Sequence, residues 1–167
     1  MTKLPSIIRA LIDQQVRFVV VGGFAVQLHG FVRATIDFDC VLAMDDGNLS
    51  RFIEVAKSFG LEPVVPVKID VLKNAKQIEQ WHQEKGMLAF ALREPSIGGS
   101  VVDVLVRPEV PFEKLEADAA VVSLFDREVK IASIDALLTM KRIANRLKDR
   151  LDIDALEKIK RGEDPYA

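Results

Sequence analysis

Two aspartates one residue apart, Asp37 and Asp39, interrupt an apolar run, Ile36-Asp37-Phe38-Asp39-Cys40-Val41-Leu42. Residues i and i+2 of a strand share a face, so both carboxylates aim at one spot while Ile36, Phe38 and Cys40 take the other side. Like charges held together in a half-buried place are unfavourable unless a cation or a strong donor set neutralises them, and an oxygen-only pair suits Mg²⁺ or Mn²⁺. Upstream, Val19-Val20-Val21-Gly22-Gly23-Phe24 reads as a strand, a glycine turn and the start of a short helix. Such glycines let backbone approach a ligand closely, and a helix N-terminus offers free N–H groups to phosphate. A third acid, Asp103, breaks the otherwise aliphatic Val101-Val102-Asp103-Val104-Leu105-Val106. A lone carboxylate in a buried strand needs a partner, a proton or a metal. If its strand lies beside the acidic one, Asp37, Asp39 and Asp103 converge on one face, able to hold two divalent ions about 4 Å apart.

Other residues admit two readings. Arg33 and Thr35 precede the acidic strand, where Arg33 could contact a phosphate and Thr35 fix the turn; a surface arginine and a strand-favouring threonine explain them equally well. His29 ends a helix and reads as a C-terminal cap partner rather than a ligand or base. Cys40 alternates away from the acids, as a small core residue would. Trp81 and His82 fall in a polar segment, where an aromatic at the core or rim is the plain reading and acceptor stacking the bolder one. Lys141, Arg142, Arg146, Lys148 and Arg150 cluster, and a solvated helix face is the default for such a run. On one helix Lys141, Asn145 and Lys148 share a face, with Asp149 and Asp152 able to neutralise part of it. Lys141 follows the apolar ridge of Leu137, Leu138 and Met140, which favours a role facing phosphate.

The elements needed to position these groups can be read in order. Leu4, Ile7, Ile8, Leu11 and Ile12 recur at helical spacing over residues 3–15, with Thr2 as cap and Pro5 in the first turn. Strands are expected over residues 17–21 and 36–44, with a short helix to His29 between them. Asp45-Asp46-Gly47-Asn48 is a turn signal, and a helix from Leu49 to Phe59 stops at Gly60. Pro63 and Pro66 bracket a short extended piece, and residues 71–84 carry only modest helical periodicity. Residues 87–92 and 101–106 read as paired strands around Pro95-Ser96-Ile97-Gly98-Gly99. A short helix over residues 112–120, a hairpin around Asp126-Arg127, a helix capped by Ser133 over residues 134–148 and a last helix over residues 150–160 complete the chain. The sum is α/β (α+β), a small mixed β-sheet with packed helices.

Composition bounds the partners. The 167 residues suit a single domain, with a core over about residues 16–108 and a helical part over about 133–160. A net charge of −2 gives no global reason to expect nucleic acid, so any basic patch is local. One cysteine excludes an internal disulfide framework and fits a reducing compartment. No apolar run is long enough for a membrane span and the start lacks a signal-peptide pattern, so the expectation is a cytoplasmic protein with no membrane partner.

Gly22-Gly23, then Asp37-Phe38-Asp39, then a later strand with Asp103 resembles the nucleotidyltransferase superfamily of the DNA polymerase beta type. More narrowly, Gly22-Gly23-Phe24-Ala25, His29-Gly30, Arg33-Ala34-Thr35-Ile36-Asp37-Phe38-Asp39, Leu138-Thr139-Met140-Lys141 and Arg146-Leu147-Lys148-Asp149 resemble the AbiEii-type toxin branch, a minimal nucleotidyltransferase. The resemblance implies the nucleotidyltransferase fold and transfer of an NMP from an NTP to a hydroxyl acceptor. It implies that Asp37 and Asp39 bind Mg²⁺ or Mn²⁺ and that Asp103 is the third ligand and activates the acceptor. Gly22 and Gly23 would cradle the triphosphate, and Lys141 with Arg146 or Lys148 would reach the phosphates. The acceptor would be RNA, tRNA in particular, or a protein, and a cognate antitoxin a possible partner. One departure stands out: the superfamily usually has Gly-Ser at the turn, with the hydroxyl on phosphate, where this chain has Gly23 followed by Phe24. The alternative is a non-catalytic, nucleotide-binding, toxin-like module acting through a protein partner; a metal-dependent phosphoesterase is a third reading of the same acids.

Overall fold

The computed structural model describes residues 3–96 and 98–167. Helix α1 covers Leu4–Asp13, strand β1 Phe18–Val21, α2 Gly22–Leu28, β2 Asp37–Leu42 and α3 Asp46–Ser58. The two-residue β3 (Glu62–Pro63) and a 3₁₀ turn (Ile69–Lys73) lead to α4 (Ala75–Lys85), β4 (Ala89–Arg93) and β5 (Val101–Leu105). Then come α5 (Phe112–Ala117), β6 (Ala120–Leu124), β7 (Arg127–Ile131), α6 (Ile134–Ala144) and α7 (Asp149–Lys160). The strands form one mixed sheet in the order β3-β4-β5-β2-β1-β7-β6. No helix among the described residues is long and apolar enough to cross a membrane.

Strand β1 has all four residues buried and runs antiparallel to β2 on one side and parallel to β7 on the other. Burial on both faces is why it reads Phe18-Val19-Val20-Val21 without alternation. In β2 and β5 burial alternates at the acidic end: Phe38, Cys40, Val102 and Val104 enter the core while Asp37, Asp39 and Asp103 are half-buried on the opposite face. Phe18 and Phe24 both meet Phe38 edge to face, at ring-centroid distances of 6.3 and 5.6 Å. Such contacts hold the back of β2 while its front stays free for chemistry.

Several local expectations shift. Asp45-Asp46-Gly47-Asn48 opens α3 rather than forming a separate turn, because the Asp45 carboxylate caps the N–H of Asn48 at 2.9 Å. Asn48 itself is fully buried, and its amide bridges both backbone groups of Arg17 and the carbonyl of Ala43. That amide joins the start of β1 to the chain leaving β2. The polar stretch 71–84 is the 3₁₀ turn plus α4, capped by Asn74 and ended by Gly86 in the left-handed region. The hairpin turns at Phe125 and Asp126, both at positive φ, one residue earlier than expected. Ser133 caps α6 as anticipated, its hydroxyl accepting from Ala136. The proposed Thr2 cap lies outside the described residues; Lys3 takes the N-cap position of α1 with no side-chain cap hydrogen bond.

Candidate active site

The register of the sheet makes the site. Strands β2 and β5 are parallel with Asp39 opposite Asp103, and Val21, the last residue of β1, faces Asp39 from the other side. The strand of Asp103 therefore does lie beside the acidic one. The Asp39 and Asp103 carboxyl groups lie on one face of the sheet, directly across from each other. Burial pushes Asp39 up to about 7, helped by the charges of Asp103 and Asp37; only Lys148 pulls the other way. Asp103 is raised too, first by burial and then by Asp37. Asp37 stands one pleat further along β2, opposite Val101. Among the described residues no three His, Cys, Asp or Glu side chains are gathered closely enough to cage a metal by themselves.

Gly22 shows why the turn is written as it is. It has φ +67°, and a Cβ there would stand 2.1 Å from Oδ2 of Asp39. An L side chain is thus excluded both by conformation and by the carboxylate pressed against it. Helix α2 begins at Gly22 itself, so the expected turn and helix start are one feature. Gly23 is closed off differently: a Cβ would meet Nη2, Cζ and Nη1 of Arg33 at 2.8, 3.2 and 3.3 Å.

Arg33 in turn belongs to a chain of charges whose two acids and lysine are buried. Its Nε and Nη2 donate to the two oxygens of Asp152 at 2.6 and 2.7 Å. Asp152 also pairs with Lys141 at 2.8 Å, and Lys141 reaches Asp149 at 3.3 Å. Asp149 accepts from the side chain and the backbone N–H of Arg146. Burial raises Asp152, but its hydrogen bonds and charge contacts with Arg33 and Lys141 outweigh this and hold it below the usual aspartate range. Asp149 is lowered in the same way, burial being overcome by Arg146 and Lys141. Three cations on two acids leave an excess of positive charge at one end of the site.

This arrangement corrects the helix expected over residues 134–148. Asn145 adopts φ +48° and ends α6 at Ala144, so Lys141, Asn145 and Lys148 share no helix face. Lys148 instead lies in the bend before α7, exposed and without an ion pair among the described residues, and it acts electrostatically on Asp39 and Asp103. Thr35 lies in the loop before β2, half-buried. His29 is the C-cap residue of α2 by position, with its backbone N–H bonding the last carbonyls of the helix, while its ring Nε2 lies 2.8 Å from the carbonyl of Ala132 and ties α2 to the chain after β7. His82 bonds the carbonyl of Met87 and Trp81 packs on the core, both structural.

Part of this set lines a cavity of about 570 Å³: Gly22, Asp39, Asp103, Lys141 and Arg146 bring polar groups to it, and Leu88, Leu105, Leu137, Met140 and Ile143 supply apolar surface. Asp37, Gly23, Arg33, Thr35 and Lys148 are not among its lining residues. The sequence marks Asp149 and Asp152 as neutralising partners, and the structure adds that both are buried. Their i, i+3 spacing on one helix face, each three residues or fewer from a basic residue, is the signal that could have found it.

No protein-family model matches the chain, and no curated protein matches it. Solved structures do. The lincosamide antibiotic adenylyltransferase LnuA, lincomycin-bound, has a TM-score of 0.62 at 17% identity over 94% of this chain and 96% of its own. ANT(2")-Ia, in complex with adenylyl-2"-tobramycin, has a TM-score of 0.59 at 12% identity, covering 94% of this chain and 90% of its own. An antigenic nucleotidyltransferase-like protein from Paracoccidioides brasiliensis gives 0.56 at 21% identity over 91% and 72%. The seven-stranded mixed sheet with its packed helices matches the nucleotidyltransferase fold of these neighbours.

Proposed function

We propose that this chain is a metal-dependent nucleotidyltransferase that moves an NMP from an NTP to a hydroxyl acceptor. The observation that carries the reading is the pair Asp39 and Asp103, set side by side by the β2–β5 register at a cavity that Lys141 and Arg146 also line. Two oxygen donors that repel each other fit Mg²⁺ or Mn²⁺, and Mg²⁺ is commonly held by one or two carboxylates with waters and substrate phosphates completing its shell. Asp39 and Asp103 would hold it, with Asp37 at the outer end of the strand. The chemistry such an ion supplies is a lower pKa for the acceptor hydroxyl and charge to offset the entering and leaving oxygens.

The chain's own groups then divide the work. Gly22 lets Asp39 come close against the backbone, Gly23 offers its backbone N–H, and Arg33, Lys141, Arg146 and Lys148 provide positive charge for the triphosphate. Asp103 takes the proton of the acceptor hydroxyl as its oxygen bonds to the α-phosphorus and the bond to pyrophosphate breaks.

For the acceptor, the AbiEii-like motifs support RNA, tRNA first, or a protein, with the chain as the toxin of a toxin-antitoxin pair. The cavity's size and its aliphatic wall favour a second reading, a small hydroxylated molecule with an apolar face, as in the neighbours bound to lincomycin and adenylyl-2"-tobramycin. Transfer of label from each α-³²P-NTP with Mg²⁺ or Mn²⁺, into total RNA, soluble protein and small aminoglycoside or lincosamide acceptors, separates these. Label is expected with the unaltered protein and absent from Asp37→Ala and Asp39→Ala. Label that survives Asp39→Ala would overturn the reading; nucleotide bound without any transfer would favour the non-catalytic module.

A further inference from the structure

Asp152 is fully buried, and the proposed reaction does not use it. It joins two parts of the site that are far apart in sequence. On one side it grips Arg33 through both oxygens; on the other it holds Lys141, which lines the cavity. Arg33 is fixed from its backbone as well, because the Gln27 side-chain amide donates to its carbonyl. So held, the guanidinium lies over Gly23, with three of its atoms within 3.3 Å of where a Cβ would be. A free arginine would swing away from an added methyl at little cost. This one cannot move without leaving a buried carboxylate short of a partner.

We propose that Asp152 is a positioning residue, which seats Arg33 on Gly23 and sets it in register with Lys141, so that both cations meet the phosphates together. The phosphate part rests on the nucleotidyltransferase reading. Asp152, one Nη1 bond to the carbonyl of Ala34 and the Gly23 surface leave an N–H on each terminal nitrogen of Arg33 to donate to a ligand. The glycine at position 23 is then explained by Arg33 alone: its φ is ordinary, and alanine would otherwise suit a helix better.

The test is a double-substitution cycle, Gly23→Ala and Arg33→Met, read by calorimetry with the Mg²⁺ complex of each NTP and by thermal melting. Gly23→Ala should weaken NTP binding by roughly 10-fold or more with Arg33 present, the size of a lost charge-assisted contact. With Arg33→Met it should change binding by less than about 2-fold. Asp152→Asn should raise the KM for NTP while leaving the KM for acceptor and the cooperativity of melting unchanged. Equal effects of Gly23→Ala in both backgrounds, or an Asp152→Asn protein that melts earlier yet binds NTP normally, would overturn the proposal. If Asp152→Asn does not fold, the Gly23 and Arg33 cycle decides. Should the unaltered protein bind no NTP, the nucleotidyltransferase reading fails, and the seating of Arg33 is judged by the melts. Gly23→Ala must then lower Tm with Arg33 and raise it with Arg33→Met, and the same sign in both would refute the seating.

Discussion

The carboxylates of Asp39 and Asp103 and those of Asp149 and Asp152 are the same groups in opposite circumstances. The first pair faces its own kind across adjacent strands and is pushed toward protonation. The second pair alternates with Arg33, Lys141 and Arg146 and is held in the charged form. Burial acts on both alike, so the sign of the neighbours decides. An acid beside an acid stores an interaction that an incoming cation can relieve; an acid between cations has none left to give and serves as a brace.

The comparison can be broken most severely at its active half. Asp103→Asn keeps the shape of the side chain but removes the proton acceptor and oxygen ligand proposed for it. NMP transfer should fall by at least about 1,000-fold with the melting curve intact, and an unchanged rate would remove Asp103 from the reaction. The brace should fail in the opposite manner. Asp149→Ala leaves Arg146 without its acid and Lys141 with one acid fewer, which should cost on the order of 3 kcal/mol and lower Tm by roughly 10 °C. A melt within a degree of the parent would show that the network does not hold α6 to α7.

The smallest effect sharpens the contrast. Asp39 titrates near 7 when folded against 3.8 unfolded, so the native state binds the extra proton, and stability falls as pH rises across that window. The metal-free protein should lose on the order of 2 kcal/mol between about pH 5 and pH 7.5. Asp149 and Asp152, being lowered, change protonation below this window and do not contribute to the slope. Chemical denaturation at the two pH values checks this. Asp39→Asn should flatten the dependence, as should added Mg²⁺, and a slope of the opposite sign would contradict the assigned environment.

Much of this was legible because it is local. Period-2 alternation put Asp37 and Asp39 on one face, and the loneliness of Asp103 among aliphatics called for a neighbouring acid or metal, which the β2–β5 register supplies as Asp39. Ser133 and Gly60 punctuate helices by their own chemistry. What was not legible depends on distant partners. Asn145 is a weak stop signal by composition, and only its left-handed backbone divides α6 from α7. The parallel pairing of β1 with β7 joins Val20 to Ile131, and no local pattern announces it. Arg33 was read as free for phosphate or surface, since its buried acid comes from a helix 119 positions later.

Strand β2 turns its acids outward and Cys40 inward. The chain has a single thiol, fully buried, and its environment pushes it well above the usual cysteine range, first by burial and then by Asp39 and Asp103. A thiol so placed is silent toward alkylating reagents while the central strand stays seated, and reacts when it opens. The protein therefore carries an unmodified clock for its own breathing. The rate at which a thiol reagent consumes Cys40 reports how often the strand bearing the acids leaves the sheet, and any ligand that closes the site should slow that rate without touching the sulfur.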